Sequence, residues 1–417
     1  KHTPVVHHFL HMPSSSRRTF LLATAAVGAG SLAGCSSRSC SPRRTQHNSD
    51  VSLSGDARWP TQYYDAANTS YNPSADDPTE GVQVAWRYTL CGPSDGNTIV
   101  TPETAYLENH VIDTQTGESA GEWESDSTPS ISDGVVYFPV NGPDMDTPQL
   151  RAQDSTTGET LWTADLAEGV RLLSPTIEGE TVYTAAGDLY AMNRETGEER
   201  WRFEMPSETE ATGLPAVREE TAYVPGDDYT LYAVDTETGD EKWQVTPIQK
   251  DGPGPIPSVA NGLVYIAATE DQMGEIRAIN PTDGSIAWRH EIDSWLFPPV
   301  AVTEQRVFAV GGGDRGLVTA VDAETGEGQW QQSFEDVPRL VTVAVGSENV
   351  YAGSMWANDD APVYALDQAT GEQQWQFETR PRDFGDYTER TVSAIAAVGE
   401  YVFVTTSGEV YALVGQS

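Results

Sequence analysis

The chain has little cysteine, almost no lysine and no long apolar run, and each shortage narrows what it can be. Three cysteines in 417 residues, Cys35, Cys40 and Cys91, are too few for a disulfide scaffold. None is adjacent to another, and none stands in a Cys-x-x-Cys-His haem-attachment run. No stretch approaches the roughly 20 apolar residues of a membrane-spanning helix. There is no His-Glu-x-x-His pair to hold a catalytic zinc.

What is abundant is acid. The chain carries 63 Asp and Glu against 24 Lys and Arg, a formal charge of −39. Seven of the basic and two of the acidic residues fall in 1–58, leaving 17 against 61, or −44, for 59–417, where Lys242 and Lys250 are the only lysines. Such a surface repels nucleic acid and anionic lipid headgroups, so neither is an expected partner of this part. Its self-repulsion calls for salt to screen it. Low lysine with acid along the whole length is similar to proteins of extreme halophiles; adaptation to bind cations is the other reading.

The N-terminal stretch reads as export machinery. Ser16-Arg17-Arg18-Thr19-Phe20-Leu21 resembles a twin-arginine signal, followed by an apolar segment, Phe20 to Ala33, too short to span a bilayer. Leu32-Ala33-Gly34-Cys35 resembles a lipobox, in which the Cys35 thiol takes a diacylglyceryl group. Residues 1–34 are therefore expected to be an export signal, with 1–11 an upstream extension before Met12, and 35–58 a flexible tether. The expected location is the outer face of the cell membrane, reached through lipid alone. If Cys35 is lipidated, Cys40 and Cys91 remain able to pair.

Residues 59–417 are dominated by an internal repeat. A short apolar strand runs into Asp or Asn, a turn with Thr-Gly or Asp-Gly, and a Trp: LYAMNRETGEERW (189–201), LYAVDTETGDEKW (231–243), VTAVDAETGEGQW (318–330) and VYALDQATGEQQW (363–375). LRAQDSTTGETLW (150–162) and IRAINPTDGSIAW (276–288) follow the same plan, and HVIDTQTGESAGEW (110–123) reads as a looser copy with two extra residues before its Trp. The series is Trp86, Trp123, Trp162, Trp201, Trp243, Trp288, Trp330 and Trp375, spaced 37 to 45 residues, the length of one four-stranded propeller blade. Alternating runs such as GVVYFPV (134–140) and GLVYIAA (262–268) supply middle strands. The chain ends one strand short, at Val410–Leu413, while the Trp86 strand has no blade of its own. The expected fold is an all-β, eight-bladed propeller closed by its N- and C-terminal strands, with seven blades as the fallback.

These residues resemble the PQQ-like β-propeller repeat family, whose Ala-x-Asp-x-x-Thr-Gly-x-x-x-Trp motif docks each Trp between neighbouring blades. The resemblance covers roughly 82–417, and 59–73 resembles the opening segment of such domains, expected against one face of the disc. It implies two functions. One is a lipid-anchored binding or scaffolding protein for a partner protein or extracellular ligand, working as a monomer. The alternative is a PQQ-dependent dehydrogenase oxidising an alcohol or sugar with quinone and calcium. The dehydrogenases carry an adjacent cysteine pair and a calcium-binding Glu and Asn with a catalytic Asp, and none maps onto this chain, so no cofactor, metal or catalytic residue is expected. The Asp-x-x-Thr-Gly turns lack the calcium-loop spacing and are read as turns. Residues just before the innermost strands should ring one mouth of the channel, namely Arg171, Trp295, Phe297, Arg339 and Arg390. They could stack a planar or anionic ligand there, or pair with local Asp and Glu.

Overall fold

The computed structural model describes residues 41–417 other than 95, 124, 126, 142–147, 167–170, 246–253, 356–360, 385–387 and 417. The export signal over 1–34, with Arg17, Arg18 and Cys35, lies outside them. The described residues are all β, with no helix.

Each repeat forms one antiparallel sheet of four consecutive strands. Blade 1 holds Ile99–Val100, Thr104–Leu107, His110–Asp113 and Ser119–Glu122, and blade 2 holds Ser130–Ser132, Val135–Val140, Gln149–Asp154 and Thr160–Asp165. Blades 3 to 7 occupy 176–203, 216–245, 258–292, 295–334 and 339–379, the last two joined by a single bridge between Gly312 and Arg339. Blade 8 combines Val392–Val398, Tyr401–Thr406 and Glu409–Gly415 with the N-terminal Val82–Thr89. Eight blades result, and the termini close the ring.

The local chemistry explains the period. In blade 2 the Asp154 carboxylate accepts the Thr156 and Thr157 amides at 3.0 and 2.7 Å and the Thr157 hydroxyl at 3.0 Å, and those donors hold its pKa below the usual carboxylate range. Gly158 follows at φ 70° and returns its amide to the Asp154 carbonyl, a left-handed step that glycine makes at no steric cost. Middle strands carry the large core residues: Tyr137, Tyr223, Tyr265, Phe308, Tyr351 and Phe403 are each 2% exposed or less.

Blade 8 is locked at its seam. Val82–Thr89 pairs with Glu409–Gly415, setting Arg87 opposite Tyr411 and Thr89 opposite Glu409. The Glu409 carboxylate lies 3.6 Å from the Arg87 guanidinium and accepts from the Thr89 and Tyr411 hydroxyls, all of it buried. Burial and the facing Glu409 charge push the Tyr411 phenol up.

The tether expected over 35–58 needs correction across its described part. Arg43–His47 is a fifth strand on blade 8, paired with Trp86–Thr89. Val51 is buried, and the Ser52 amide donates to the Tyr401 hydroxyl at 3.0 Å. Val82–Thr89 would otherwise present an open edge, and the segment covers it. Cys91 is disulfide-bonded; the other two cysteines lie outside the described residues.

Residues 59–72 cross the face on which the inner strands end. Their backbone pairs in turn with Val100, Ile131, Val217, Val259, Val302 and Val345, so the segment touches blades 1, 2, 4, 5, 6 and 7. The Asn72 amide group reaches the Ala397 carbonyl of blade 8 at 2.8 Å. Asn68, at φ 56°, sends its side-chain amide to the Leu214 and Pro257 carbonyls. The segment is a plug stitched to most of the ring.

Candidate functional site

The docking tryptophans come first, because they show where the ring departs from its own rule. Each regular Trp stands eight residues after the turn Asp or Asn and opposite an alanine: Trp162 faces Ala152, Trp201 faces Ala191 and Trp330 faces Ala320. Its indole lies on the turn glycine of the next blade and donates to the carbonyl of the residue after the turn Asp or Asn. Trp162 reaches Arg194, Trp201 reaches Thr236, Trp243 reaches Pro281, Trp288 reaches Ala323 and Trp330 reaches Gln368, at 2.8 to 3.2 Å. Trp86 closes the ring in the same way on Thr114 and Gly117. Trp375 uses the Pro78 carbonyl instead, because blade 8 has no such turn before its Trp.

Trp123 meets the next blade differently, through Phe138 and not through the turn glycine Gly158. Eight residues after Asp113 is Gly121, and Gly121 faces Val111 where the other blades pair Trp with Ala. The two extra residues read from the sequence are not an insertion within the repeat: the register is kept, and the Trp stands two residues late, beyond the strand. The Trp123 indole donates to the Glu108 carbonyl of its own blade, and its ring lies 5.0 Å from Tyr106 of blade 1 and 4.5 Å from Phe138 of blade 2. The fixed Asp-to-Trp spacing was the signal that would have revealed this. The same stretch, Gly117-Glu118-Ser119-Ala120-Gly121, has the spelling of a nucleophile elbow, but it runs from a turn into an outer strand and lacks the strand-to-helix bend that exposes such a serine.

Of the five expected mouth residues, the structure brings two together. Trp295 and Arg339 open the inner strands of blades 6 and 7, and the guanidinium lies 5.9 Å from the indole centroid. Phe297 is half-buried two residues further along the blade 6 strand. Arg390 precedes the blade 8 inner strand and is half-buried, while Arg171 is exposed ahead of blade 3. All five stand where inner strands begin, opposite the plugged end.

The plug covers one end of the inner strands. Where it meets the inner strands, a cavity of about 60 Å³ remains, bounded by Trp59, Tyr63, Pro298, Pro299 and Ser393. That is room for about two waters. A quinone cofactor of the kind the family resemblance implies does not fit this cavity. Among the described residues no three His, Cys, Asp or Glu side chains converge as metal ligands.

Larger hollows lie around the plug and between blades 1 and 2. One of about 620 Å³ lies beside the plug and is lined by Arg58, Asp65, Ile131 and Glu178. The Asp65 carboxylate there accepts the Thr69 amide and hydroxyl, both at 2.9 Å, and burial raises its pKa. Burial and then the Asp65 charge raise Glu178. Arg58, Ile131 and Ser132 also line a second hollow of about 550 Å³, which shares Tyr106 and Ser155 with a third of about 440 Å³ between blades 1 and 2. The three form a trough from the face to the rim. Sequence reasoning missed it, since its walls come from the plug and from the one irregular seam.

Comparison with known proteins agrees with this architecture. A curated outer membrane protein assembly factor BamB from Yersinia pestis is 26% identical over 253 residues, covering 56% of this chain and 50% of that protein. The chain spans half or less of the length of the curated relatives it matches. Among solved structures, BamB from Moraxella catarrhalis has a TM-score of 0.58 at 16% identity, covering 80% of this chain and 99% of that one. The quinohemoprotein alcohol dehydrogenase ADHIIG from Pseudomonas putida HK5 has a TM-score of 0.63 at 13% identity, covering 89% and 83%. Those two likenesses speak for the fold alone. The family described as outer membrane protein assembly factor BamB matches residues 147–294, 241–357 and 272–417, well over half of the sequence, and this chain belongs to it.

Proposed function

We propose that this chain is a lipid-anchored propeller on the outer face of the cell membrane, and that it binds a partner protein rather than carrying out quinone chemistry. One observation supports the reading: residues 59–72 cover one end of the inner strands, where the cavity beside them measures about 60 Å³, while the broader hollows open around the plug and between blades 1 and 2. Enclosed axial sites suit cofactors, and shallow open troughs suit protein surfaces. Twin-arginine export through Arg17 and Arg18 and lipidation at Cys35 deliver the protein, and no contact of the acidic domain with lipid or nucleic acid is needed. The Trp295 and Arg339 pair at the opposite mouth offers a second contact, of a kind that stacks aromatic side chains.

The test has two arms. Purified protein incubated with PQQ and calcium should show no bound quinone spectrum and no dye-linked oxidation of alcohols or sugars. Cells crosslinked in their growth salt should yield one stoichiometric complex, lost to the medium when Cys35→Ser releases the protein. A bound quinone with turnover would overturn the reading.

A further inference from the structure

The seam between blades 1 and 2 keeps the turn glycine and carbonyl of an indole dock, but its own Trp123 lies elsewhere in the seam, against Phe138. At six turns a Cβ on the glycine would lie 2.9 Å or less from a docked Trp; at Gly158 it would meet nothing within 4 Å. Nor would one at Gly121, where the resident Trp belongs. The acceptor is in place too. Ser155 occupies the position of Arg194, Thr236 and Gln368, and among the described residues nothing donates to its carbonyl. The resulting cavity, about 440 Å³, is walled by Val111, Trp123, Phe138 and Gln153 and opens to the rim.

The geometry points to a docking slot for a tryptophan side chain presented by a partner protein. The occupant is read from the molecule itself, because the same glycine and carbonyl arrangement holds an indole at six other seams. A planar ring on Gly158 with its N–H on the Ser155 carbonyl would reproduce their contacts and bury an area typical of interface anchors. Glu122 and Asp154 border the slot and Glu103 and Asp133 line the adjoining hollow, so the tryptophan should lie on a neutral or basic segment. This proposal rests on the partner-binding reading and names the chemistry of one contact.

The experiment uses 5-fluoroindole as the probe, followed by fluorine NMR on the whole folded domain in high salt. Wild-type protein should bind it saturably. Gly121→Trp, which restores the missing ring, and Gln153→Trp, which fills the slot from a strand position that suits an aromatic residue, should each weaken binding by about tenfold or more. The Gln153 variant keeps the test sound if the Gly121 backbone refuses a side chain. No saturable binding to wild type, or binding that neither variant weakens, overturns the slot. A partner crosslinked equally by wild type and both folded variants also removes the slot as its contact, yet leaves partner binding standing. Absence of any crosslinked complex removes the partner reading instead, and the indole titration still decides the slot.

Discussion

Trp86 and Trp123 stand in the same series in sequence, and their replacement by alanine should have very different costs. Trp86 is fully buried, lies against Gly117, donates to the Thr114 carbonyl at 2.9 Å and meets Phe403 edge-on at 5.9 Å. Truncating a buried Trp to alanine costs about 3–5 kcal/mol. Leaving the buried Thr114 carbonyl unpaired adds about 1–3 kcal/mol. The sum, roughly 4–8 kcal/mol, rivals the whole stability of an ordinary domain. It falls on the seam that closes the ring. Trp123 is only half-buried and touches blade 2 through Phe138 without the glycine and carbonyl contacts of the regular dock, so its loss should cost about 1–2 kcal/mol. Guanidinium unfolding in molar KCl, followed by circular dichroism, measures both. The midpoint of Trp86→Ala should fall far below that of Trp123→Ala, or the variant should fail to fold. Equal shifts, or a larger one for Trp123→Ala, would refute the register that puts Gly121 in the docking position.

Glu409→Ala leaves the buried Arg87 without its partner and should destabilise by about 3–5 kcal/mol; adding Arg87→Met should recover most of it, since removing both charges avoids an orphan. An unrecovered double variant would mean that the pair is not the seam's lock. Deleting 41–58 should lower the melting temperature and promote self-association, because it strips the fifth strand and exposes Val82–Thr89; an unchanged melting curve and a monomeric elution would contradict the docked segment. Moving the protein from molar KCl to dilute buffer should lower the melting temperature on the order of tens of degrees as screening of the −44 domain is withdrawn, and a flat response would favour specific cation sites.

The blades were legible because each is written in local chemistry. An Asp that caps its own turn, a glycine at positive φ and a Trp eight residues on recur with little interference from the rest of the chain. The closing of blade 8 was legible for the same reason, since a Trp strand without a blade and a blade without a Trp strand must meet. The plug's route across the face and the docking of 43–58 were not, because both depend on backbone bonds to distant strands, and backbone partners leave no side-chain pattern. The trough inherits that invisibility, being walled by Asp65 from the plug and by Arg58 just before it. At blade 1 the eye follows the Trp and reads an insertion, whereas the turn fixes the register and puts Gly121 in its place. The arginines at the mouth illustrate a further limit. Their position before inner strands was readable, but which of them meets Trp295 depended on how blades 6 and 7 join at Gly312 and Arg339.

The central claim is that this propeller works by holding another protein, and photocrosslinking inside living cells tests it most directly. A photoreactive amino acid placed at Gln153 in the trough, and separately at Leu161 on the exposed outer strand of blade 2 as a control, would be irradiated in growth salt. The account predicts a single discrete adduct of fixed mass from position 153, absent from position 161 and lost when Gly121→Trp is added. The same adducts from both positions, or none from 153 in cells whose purified protein carries a bound quinone, would contradict it.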